Sequence, residues 1–122
     1  MKLYFIIATI EGREKLLFKL LESIKSIFTI NNYEGIIVRQ YTTKKLVIDK
    51  KNCTIFNINK YGASKARNFG LKFIKPKLKF DDYICFPDDD CYYENNFQKI
   101  LIKNIKKSLD IIFGDIRDPN DE

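Results

Sequence analysis

The chain of 122 residues contains no histidine and only three cysteines. The absence of histidine excludes a histidine-based metal site, general base or catalytic triad. Cys53, Cys85 and Cys91 are odd in number and lack C-x-x-C spacing, so we expect reduced thiols and not a disulfide framework. The chemistry of the chain therefore has to come from other side chains.

Long apolar runs are also missing, because charges interrupt each stretch before it reaches the roughly 20 residues that a membrane-spanning helix needs. The first apolar run follows a single lysine and is not followed by a small-residue cleavage site, which indicates a buried strand and not a signal peptide. We therefore expect a cytoplasmic protein, and we keep the inner face of the membrane as an alternative location.

Acidic residues are the minority charge, since 22 Lys and Arg stand against 16 Asp and Glu and give a formal net charge of +6. The basic stretches 49–53, 75–79 and 102–107 could attract nucleic acid, anionic lipid or a phosphorylated substrate. The charges are scattered and are not interleaved with exposed aromatic side chains, so we expect no nucleic-acid partner. Peripheral membrane association stays open.

Apolar residues make up 45% of the chain and fall into runs typical of strands and of helices. Helical spacing predicts helices over 13–28, 64–74 and 94–108, with Ser64 capping the second. Strands that are apolar throughout and alternate with helices predict one α/β domain over residues 1–122, a mainly parallel twisted sheet flanked by helices as in a Rossmann-like nucleotide-binding half. The predicted strands are 2–8, 35–38, 53–58, 82–86 and 110–114.

The residues that follow these strands have the side chains best suited to chemistry. Ligands of open parallel sheets bind beyond the carboxyl ends of the strands, so we expect one site at that edge. The residues in strand order are Thr9, Glu11 and Arg13, then Arg39 and Gln40, then Gly62, Ser64, Arg67 and Asn68, and finally Asp88, Asp89 and Asp90.

Three consecutive aspartates, Asp88, Asp89 and Asp90, directly follow the fourth predicted strand. Without histidine or paired cysteine they form a hard oxygen-ligand site that suits Mg²⁺ or Mn²⁺. On an extended segment Asp88 and Asp90 point to one side and Asp89 to the other. A solvated acidic turn is the alternative, and the position after a buried strand disfavours it.

The segment that begins at Gly62 predicts a helix start where unpaired N–H groups could bind an anion. Arg67 and Asn68 lie near that helix start, so either side chain could reach a ligand there. The alternative for Arg67 is an ion pair with an acidic side chain, including the aspartates themselves.

Three segments of the chain resemble family 2 glycosyltransferases, the nucleotide-diphospho-sugar transferases with a GT-A fold. FIIATIEGREKLLFKLLESI (5–24) is similar to the family's first strand and helix. GASKARNFGLKFI (62–74) is similar to its Gly-x-x-x-Ala-Arg-Asn-x-Gly helix start, and YICFPDDDCYY (83–93) to its DXD element. The three segments follow the family's order and cover nearly the whole chain.

This resemblance implies an enzyme that transfers a sugar from a nucleoside diphosphate-sugar, with a UDP-sugar as the first expectation, to an acceptor hydroxyl. It implies that Asp90, assisted by Asp88, holds Mn²⁺ or Mg²⁺ on the diphosphate and neutralises charge on the leaving group. Asp89 would meet the ribose or the sugar. The residues implied around the nucleotide are Thr9, Glu11, Arg13, Arg67 and Asn68.

Two departures from the family pattern limit what the resemblance implies. Arg39 stands where the family usually has the acid that reads the base, so we include Arg39 in the nucleotide-sugar site and leave the base open. Family members also continue into a second half that binds the acceptor and supplies the general base of inverting enzymes. The acidic residues near the carboxyl end stand where the family's chain is still crossing the site. None of them can be assigned as the general base, so the catalytic residue stays unassigned. These acidic residues are Asp115, Asp118, Asp121 and Glu122.

We therefore expect the donor-binding part of a glycosyltransferase, either a fragment or a natural short form, with an unassigned saccharide or lipid-linked acceptor. Self-association through uncovered apolar surface stays open. The alternatives are a non-catalytic or truncated nucleotide-binding or interaction domain, and a metal-dependent phosphotransferase or hydrolase.

Overall fold

The computed structural model describes residues 1–28, 32–42, 44–48, 51–107 and 111. Four strands form one sheet, and three helices and a short 3-10 turn follow or connect them. In chain order the elements are β1 (Leu3–Ile10), α1 (Glu14–Ile27), β2 (Tyr33–Gln40), β3 (Cys53–Ile58), α2 (Ala63–Ile74), the 3-10 turn Lys75–Lys77, β4 (Tyr83–Cys85) and α3 (Phe97–Ile105).

The sheet has the strand order β3-β2-β1-β4, and each of its three pairings is parallel. In the register of β1 and β2, Ile6 lies opposite Ile36 and Thr9 lies opposite Arg39. All four carboxyl ends consequently reach the same edge, with β1 and β4 adjacent there. The predicted α/β fold with a parallel sheet is confirmed.

Each face of the sheet carries its own apolar core, because successive side chains of a strand point to opposite sides. Phe5 and Ile7 of β1 pack with α1 and α3, while Tyr4 and Ile6 pack with α2. The helices therefore cover both faces, as the apolar strands predicted. The buried helix residues are Leu17, Leu20, Ile24 and Ile27 of α1, Ala66, Gly70 and Ile74 of α2, and Leu101 of α3.

Gly70 lets α2 approach the sheet closely. A Cβ atom at this position would lie 2.7 Å from Cγ2 of Ile6, which is fully buried in β1. The last glycine of the Ala-Arg-Asn-x-Gly segment therefore has a packing role, and it fixes the distance between α2 and the centre of the sheet.

The element boundaries differ from the predictions at several points. Strands β1 and β2 extend to Ile10 and Gln40, because their parallel pairing continues past the apolar residues that define the sequence pattern. The predicted cap of α2 is wrong: Gly62 is the N-cap residue, with φ 123°, and no side chain caps this helix. Helix α3 begins at Phe97, after a turn closed by the bond from its N–H to the Glu94 carbonyl.

The fifth predicted strand, 110–114, lies outside the described residues apart from Ile111, which is not in a strand. Among the described residues, no helix is long and apolar enough to cross a bilayer.

Candidate functional site at the carboxyl edge of the sheet

Asp89 is the buried centre of the site, with 7% of its surface exposed. Its Oδ2 atom accepts hydrogen bonds from Thr9 Oγ1 at 2.8 Å and from Arg13 Nε at 2.9 Å. Arg13 Nη2 lies 2.8 Å from Oδ1, so the guanidinium and the carboxylate form a two-point fork. The end of β1 and the start of α1 are thereby tied to the segment after β4.

The turn between β1 and α1 places Arg13 for this contact. Gly12 has φ 94°, a left-handed conformation that glycine adopts without strain. The Gly12 N–H donates to Glu14 Oε1 at 3.2 Å, and backbone hydrogen bonds at the helix start lower the pKa of Glu14. The hydrogen bond with Asp89 and the charge of that carboxylate raise the pKa of Arg13, which therefore stays cationic. Glu11 is exposed on the same turn.

Asp88 and Asp90 face solvent, with 56% and 52% of their side chains exposed. Asp88 Oδ1 lies 2.8 Å from Arg67 Nη2, and Asp90 Oδ2 lies 3.4 Å from Arg13 Nη2. The Cys91 N–H donates to the Asp88 carbonyl at 3.1 Å, which closes a turn over the triplet. The segment is a turn and is not extended as the prediction assumed, but it still brings Asp88 and Asp90 together while Asp89 is buried.

A cation-sized group of ligand atoms lies on this turn. One oxygen of Asp88, one oxygen of Asp90 and Sγ of Cys91 lie within 4.8 Å of one another. The Cys91 thiol donates to Asp90 Oδ1 at 3.6 Å. Burial and the charge of Asp90 raise the pKa of Cys91. The two carboxylates fit a hard divalent cation such as Mg²⁺ or Mn²⁺, and the thiol would serve as a ligand only for a cation that also accepts sulfur.

Arg67 reaches the triplet from α2, on the opposite side from Arg13. It also lines a shallow surface cavity of about 430 Å³ that is widely open to solvent, together with Ser64, Asn68, Leu71 and Phe86. Its Nε atom is buried and has no hydrogen-bond partner among the residues that the structure describes. Arg67 therefore has a buried donor without a partner among the described residues, and its side chain lines an open space to which Asn68 also contributes.

Comparison with known proteins shows the family of the chain. Residues 4–122 match the family described as Glycosyl transferase family 2. The chain belongs to Glycosyl transferase family 2. The three segments that resemble this family thus lie in a chain that matches it over almost its whole length. A comparison with curated proteins gave no match.

Solved structures of TarS from S. aureus share the fold of this family 2 chain. The structure of TarS 1-349 in complex with UDP-GlcNAc is 21% identical, with a TM-score of 0.65 over 88% of this chain and 32% of TarS. The complex with UDP gives 21% identity, a TM-score of 0.66 and the same shares of the two chains. The chain thus spans about a third of the length of the TarS 1-349 chains, and the likeness establishes the GT-A fold.

The fold brings six of the predicted site residues together in two adjoining sets of hydrogen bonds and ion pairs, one around Asp89 and one between Arg67 and Asp88. Arg39 is placed differently: it is 2% exposed, and its guanidinium donates to the Lys44 carbonyl at 2.6 Å. Arg39 Nη2 also lies 3.8 Å from Glu14 Oε1. Within the described part of the chain, no ion pair joins Arg39 to the aspartates. The six residues are Thr9, Arg13, Arg67, Asp88, Asp89 and Asp90.

One residue of the site, Cys91, was missed in the sequence, and Gln40 was placed at this edge of the sheet without a role. Cys91 was interpreted as a small buried side chain, although its place directly after the triplet was a usable signal. Gln40 is buried and links the end of β1 to the start of α2, because its Oε1 accepts from the Gly62 N–H at 2.6 Å and its Nε2 lies 3.5 Å from the Thr9 carbonyl. A buried amide at a strand end has no sequence signature of its own.

Proposed function

We propose that this chain is the donor-binding part of a glycosyltransferase. In this proposal it binds a nucleoside diphosphate-sugar, with UDP as the nucleotide and a divalent cation on the diphosphate. The observation that supports the proposal is the ligand group of Asp88, Asp90 and Cys91, placed between Arg13 and Arg67 at the carboxyl edge of the sheet. Structures of TarS, which has the same fold, hold UDP and UDP-GlcNAc.

Asp88 and Asp90 would hold the cation, Mn²⁺ or Mg²⁺, because their exposed carboxylates converge on one point. When bound, the cation would neutralise the charge that develops on the leaving nucleoside diphosphate. Arg67 would contact the nucleotide from the cavity side, with Asn68 next to it. The two charged groups would thus approach the diphosphate from opposite sides.

Asp89 would contact the ribose or sugar while it holds the site together. Its Oδ2 atom already accepts two hydrogen bonds, but Oδ1 accepts one from Arg13 and keeps one lone pair for a ligand hydroxyl. Thr9 and Arg13 fix the direction of that lone pair. Glu11, exposed on the same turn, would line the pocket for the base and ribose.

Arg39 would support the pocket for the base through its contacts within the protein and would not touch the nucleotide. Its guanidinium joins the 44–48 segment to α1 through Lys44 and Glu14, so it supports the end of β2. We assign no acidic residue to recognition of the base. GDP is therefore tested together with UDP. The same proposal includes an acceptor that is a saccharide or a lipid-linked molecule. It also places the protein in the cytoplasm, with the inner face of the membrane as an alternative location.

Calorimetric titration of the purified chain with UDP and with GDP, each with and without Mn²⁺, tests the proposal. We expect Mn²⁺-dependent binding of UDP, and a loss of at least about tenfold in affinity for Asp90→Asn and Asp88→Asn. Asp81→Asn is the matched control, because Asp81 is an exposed aspartate that pairs with the amino terminus away from the site. Equal UDP affinity in Asp90→Asn and the control would contradict the metal role.

A second titration separates the proposed function from phosphoryl chemistry. We expect tighter binding of UDP-sugars than of simple phosphate esters, because Asp89 and Asn68 offer hydrogen bonds to ribose and sugar hydroxyls that an ester cannot use. A preference for the ester would favour a metal-dependent hydrolase. No binding of either ligand by the folded chain would favour an interaction domain.

A further inference from the structure

Two arginines already neutralise most of the negative charge of the candidate cation site. Arg67 pairs with Asp88 at 2.8 Å, and Arg13 pairs with Asp89 at 2.8 Å and with Asp90 at 3.4 Å. Three adjacent carboxylates without a cation would repel one another. The guanidinium groups therefore do in this structure what a divalent cation would do in the complex.

The two arginines are held very differently. Arg13 makes the two-point fork with Asp89 and lies at the start of α1, so its position is fixed from two directions. Among the described residues Arg67 makes one ion pair, through Nη2, and its Nε atom has no hydrogen-bond partner there. Arg67 is also 33% exposed and lines the 430 Å³ cavity, which gives its side chain room to turn.

We propose that Arg67 occupies the cation position beside Asp88 in the ligand-free protein and leaves it when a metal–nucleotide complex binds. Its guanidinium then turns into the cavity and pairs with the diphosphate, where its Nε–H gains a partner. This inference rests on the proposed function, because it assigns the order in which the same site takes its two ligands. Arg13 stays on Asp89 throughout.

Electrostatics favours the replacement of Arg67 by the cation only when the nucleotide binds as well. A cation that binds alone has to displace Arg67 from Asp88 and leaves the freed guanidinium next to like charge. A cation that arrives with a diphosphate brings the anion that Arg67 needs. The protein therefore binds the metal weakly by itself and tightly with the nucleotide, and each ligand raises the affinity for the other by the same factor.

Electron paramagnetic resonance of free Mn²⁺ measures the metal affinity of the chain with and without UDP. Arg67→Gln removes the charge and keeps a polar side chain of similar reach. Lys72→Gln is the matched control, because Lys72 is an exposed cation in the last turn of the same helix. Thermal unfolding of each variant is followed in parallel.

We expect Arg67→Gln to bind Mn²⁺ without nucleotide about tenfold more tightly than the unchanged chain, and Lys72→Gln to behave like the unchanged chain. UDP should raise the Mn²⁺ affinity of Arg67→Gln by a factor about tenfold smaller than in the unchanged chain. A structural ion pair would not raise the Mn²⁺ affinity without nucleotide while lowering the factor by which UDP increases it.

Equal or weaker binding of Mn²⁺ alone by Arg67→Gln would overturn the proposal. Unfolding of Arg67→Gln would also overturn it, since Arg67 could then not leave Asp88 in the native protein. If UDP binds neither protein, the proposed function fails. The affinity of Arg67→Gln for Mn²⁺ alone still decides in that case whether Arg67 occupies the cation position.

Discussion

Arg13 and Asp89, which are 76 positions apart in the sequence, form a two-point fork in which Nε lies 2.9 Å from Oδ2 and Nη2 lies 2.8 Å from Oδ1. The fork joins the start of α1 to the segment after β4, the two parts of the chain that carry most of the site. Thr9 completes it with a hydrogen bond at 2.8 Å. The least exposed of the three carboxylates is thus the one that ties these two parts of the chain together.

Arg13→Lys should loosen this arrangement, because an ammonium group cannot reproduce the planar fork. Arg13 is partly exposed, so solvent screening limits the expected loss to about 1 kcal/mol of unfolding free energy. Binding of UDP with Mn²⁺ should weaken about tenfold, since Asp89 and Asp90 lose a common anchor. Urea unfolding and calorimetry check the two effects, with Lys15→Arg as a control on the exposed side of α1. An unchanged affinity would show that the fork does not position the aspartates.

Cys91 should influence which cation the site prefers. Its sulfur lies in the ligand group with Asp88 and Asp90, and thiolate ligands favour softer cations than Mg²⁺. We expect Cys91→Ser to lower the affinity for Cd²⁺ relative to Mg²⁺ by about tenfold in the presence of UDP. Competition calorimetry measures this ratio, and Cys53→Ala, at the amino end of β3, is the control. An identical ratio in Cys91→Ser and the control would remove the sulfur from the ligand set.

Gly70→Ala should destabilise the fold although alanine is the better helix former. The added Cβ would lie 2.7 Å from Cγ2 of Ile6, a β-branched side chain that is fully buried in the central strand. Overpacking of this kind costs about 1–3 kcal/mol. Thermal and urea unfolding check it against Lys72→Ala, an exposed substitution on the same helix. A more stable Gly70→Ala would show that α2 can move away from the sheet at little cost.

The order of the elements was predictable because each strand and helix has its own periodicity of apolar residues. The prediction of β3, 53–58, is confirmed to the residue, whereas β1 and β2 extend beyond their apolar runs. Strand pairing continues through Thr9 and Gln40, whose polar side chains find internal partners. A sequence pattern does not contain those partners, so it ends the strand too early.

The position of the candidate site could be predicted from the sequence, but the contacts between its side chains could not. Alternation along the segment set Asp89 apart from Asp88 and Asp90, but its burial depends on Thr9 and Arg13, which come from a distant part of the chain. Arg39 follows an apolar run and looked like a ligand residue, yet a backbone carbonyl in an irregular segment binds it. Contacts of irregular segments have no periodicity from which they could be predicted.

Glu34 should make the stability of the fold depend on pH. Burial alone would raise its pKa, but hydrogen bonds from Lys2 Nζ at 3.0 Å and Lys77 Nζ at 3.2 Å outweigh burial and leave the pKa below the ordinary value of 4.5. The carboxylate is therefore charged in the folded protein at pH values where the unfolded chain is already partly protonated. Its stabilising effect is complete well above pH 4.5 and is lost as the pH falls through the lower pKa of the folded state.

Glu34→Gln should consequently lower the unfolding free energy by about 1–2 kcal/mol at neutral pH and by progressively less in acid. Urea unfolding of both proteins between neutral pH and about pH 3 measures the difference as a function of pH. Glu22→Gln, an exposed substitution on α1, is the matched control and should show a small difference at each pH. Glu34 joins β2 to the residue before β1 and to the turn after α2. If the difference in unfolding free energy between Glu34→Gln and the unchanged chain did not depend on pH, the shape of the Glu34 side chain, and not its charge, would hold these three parts together.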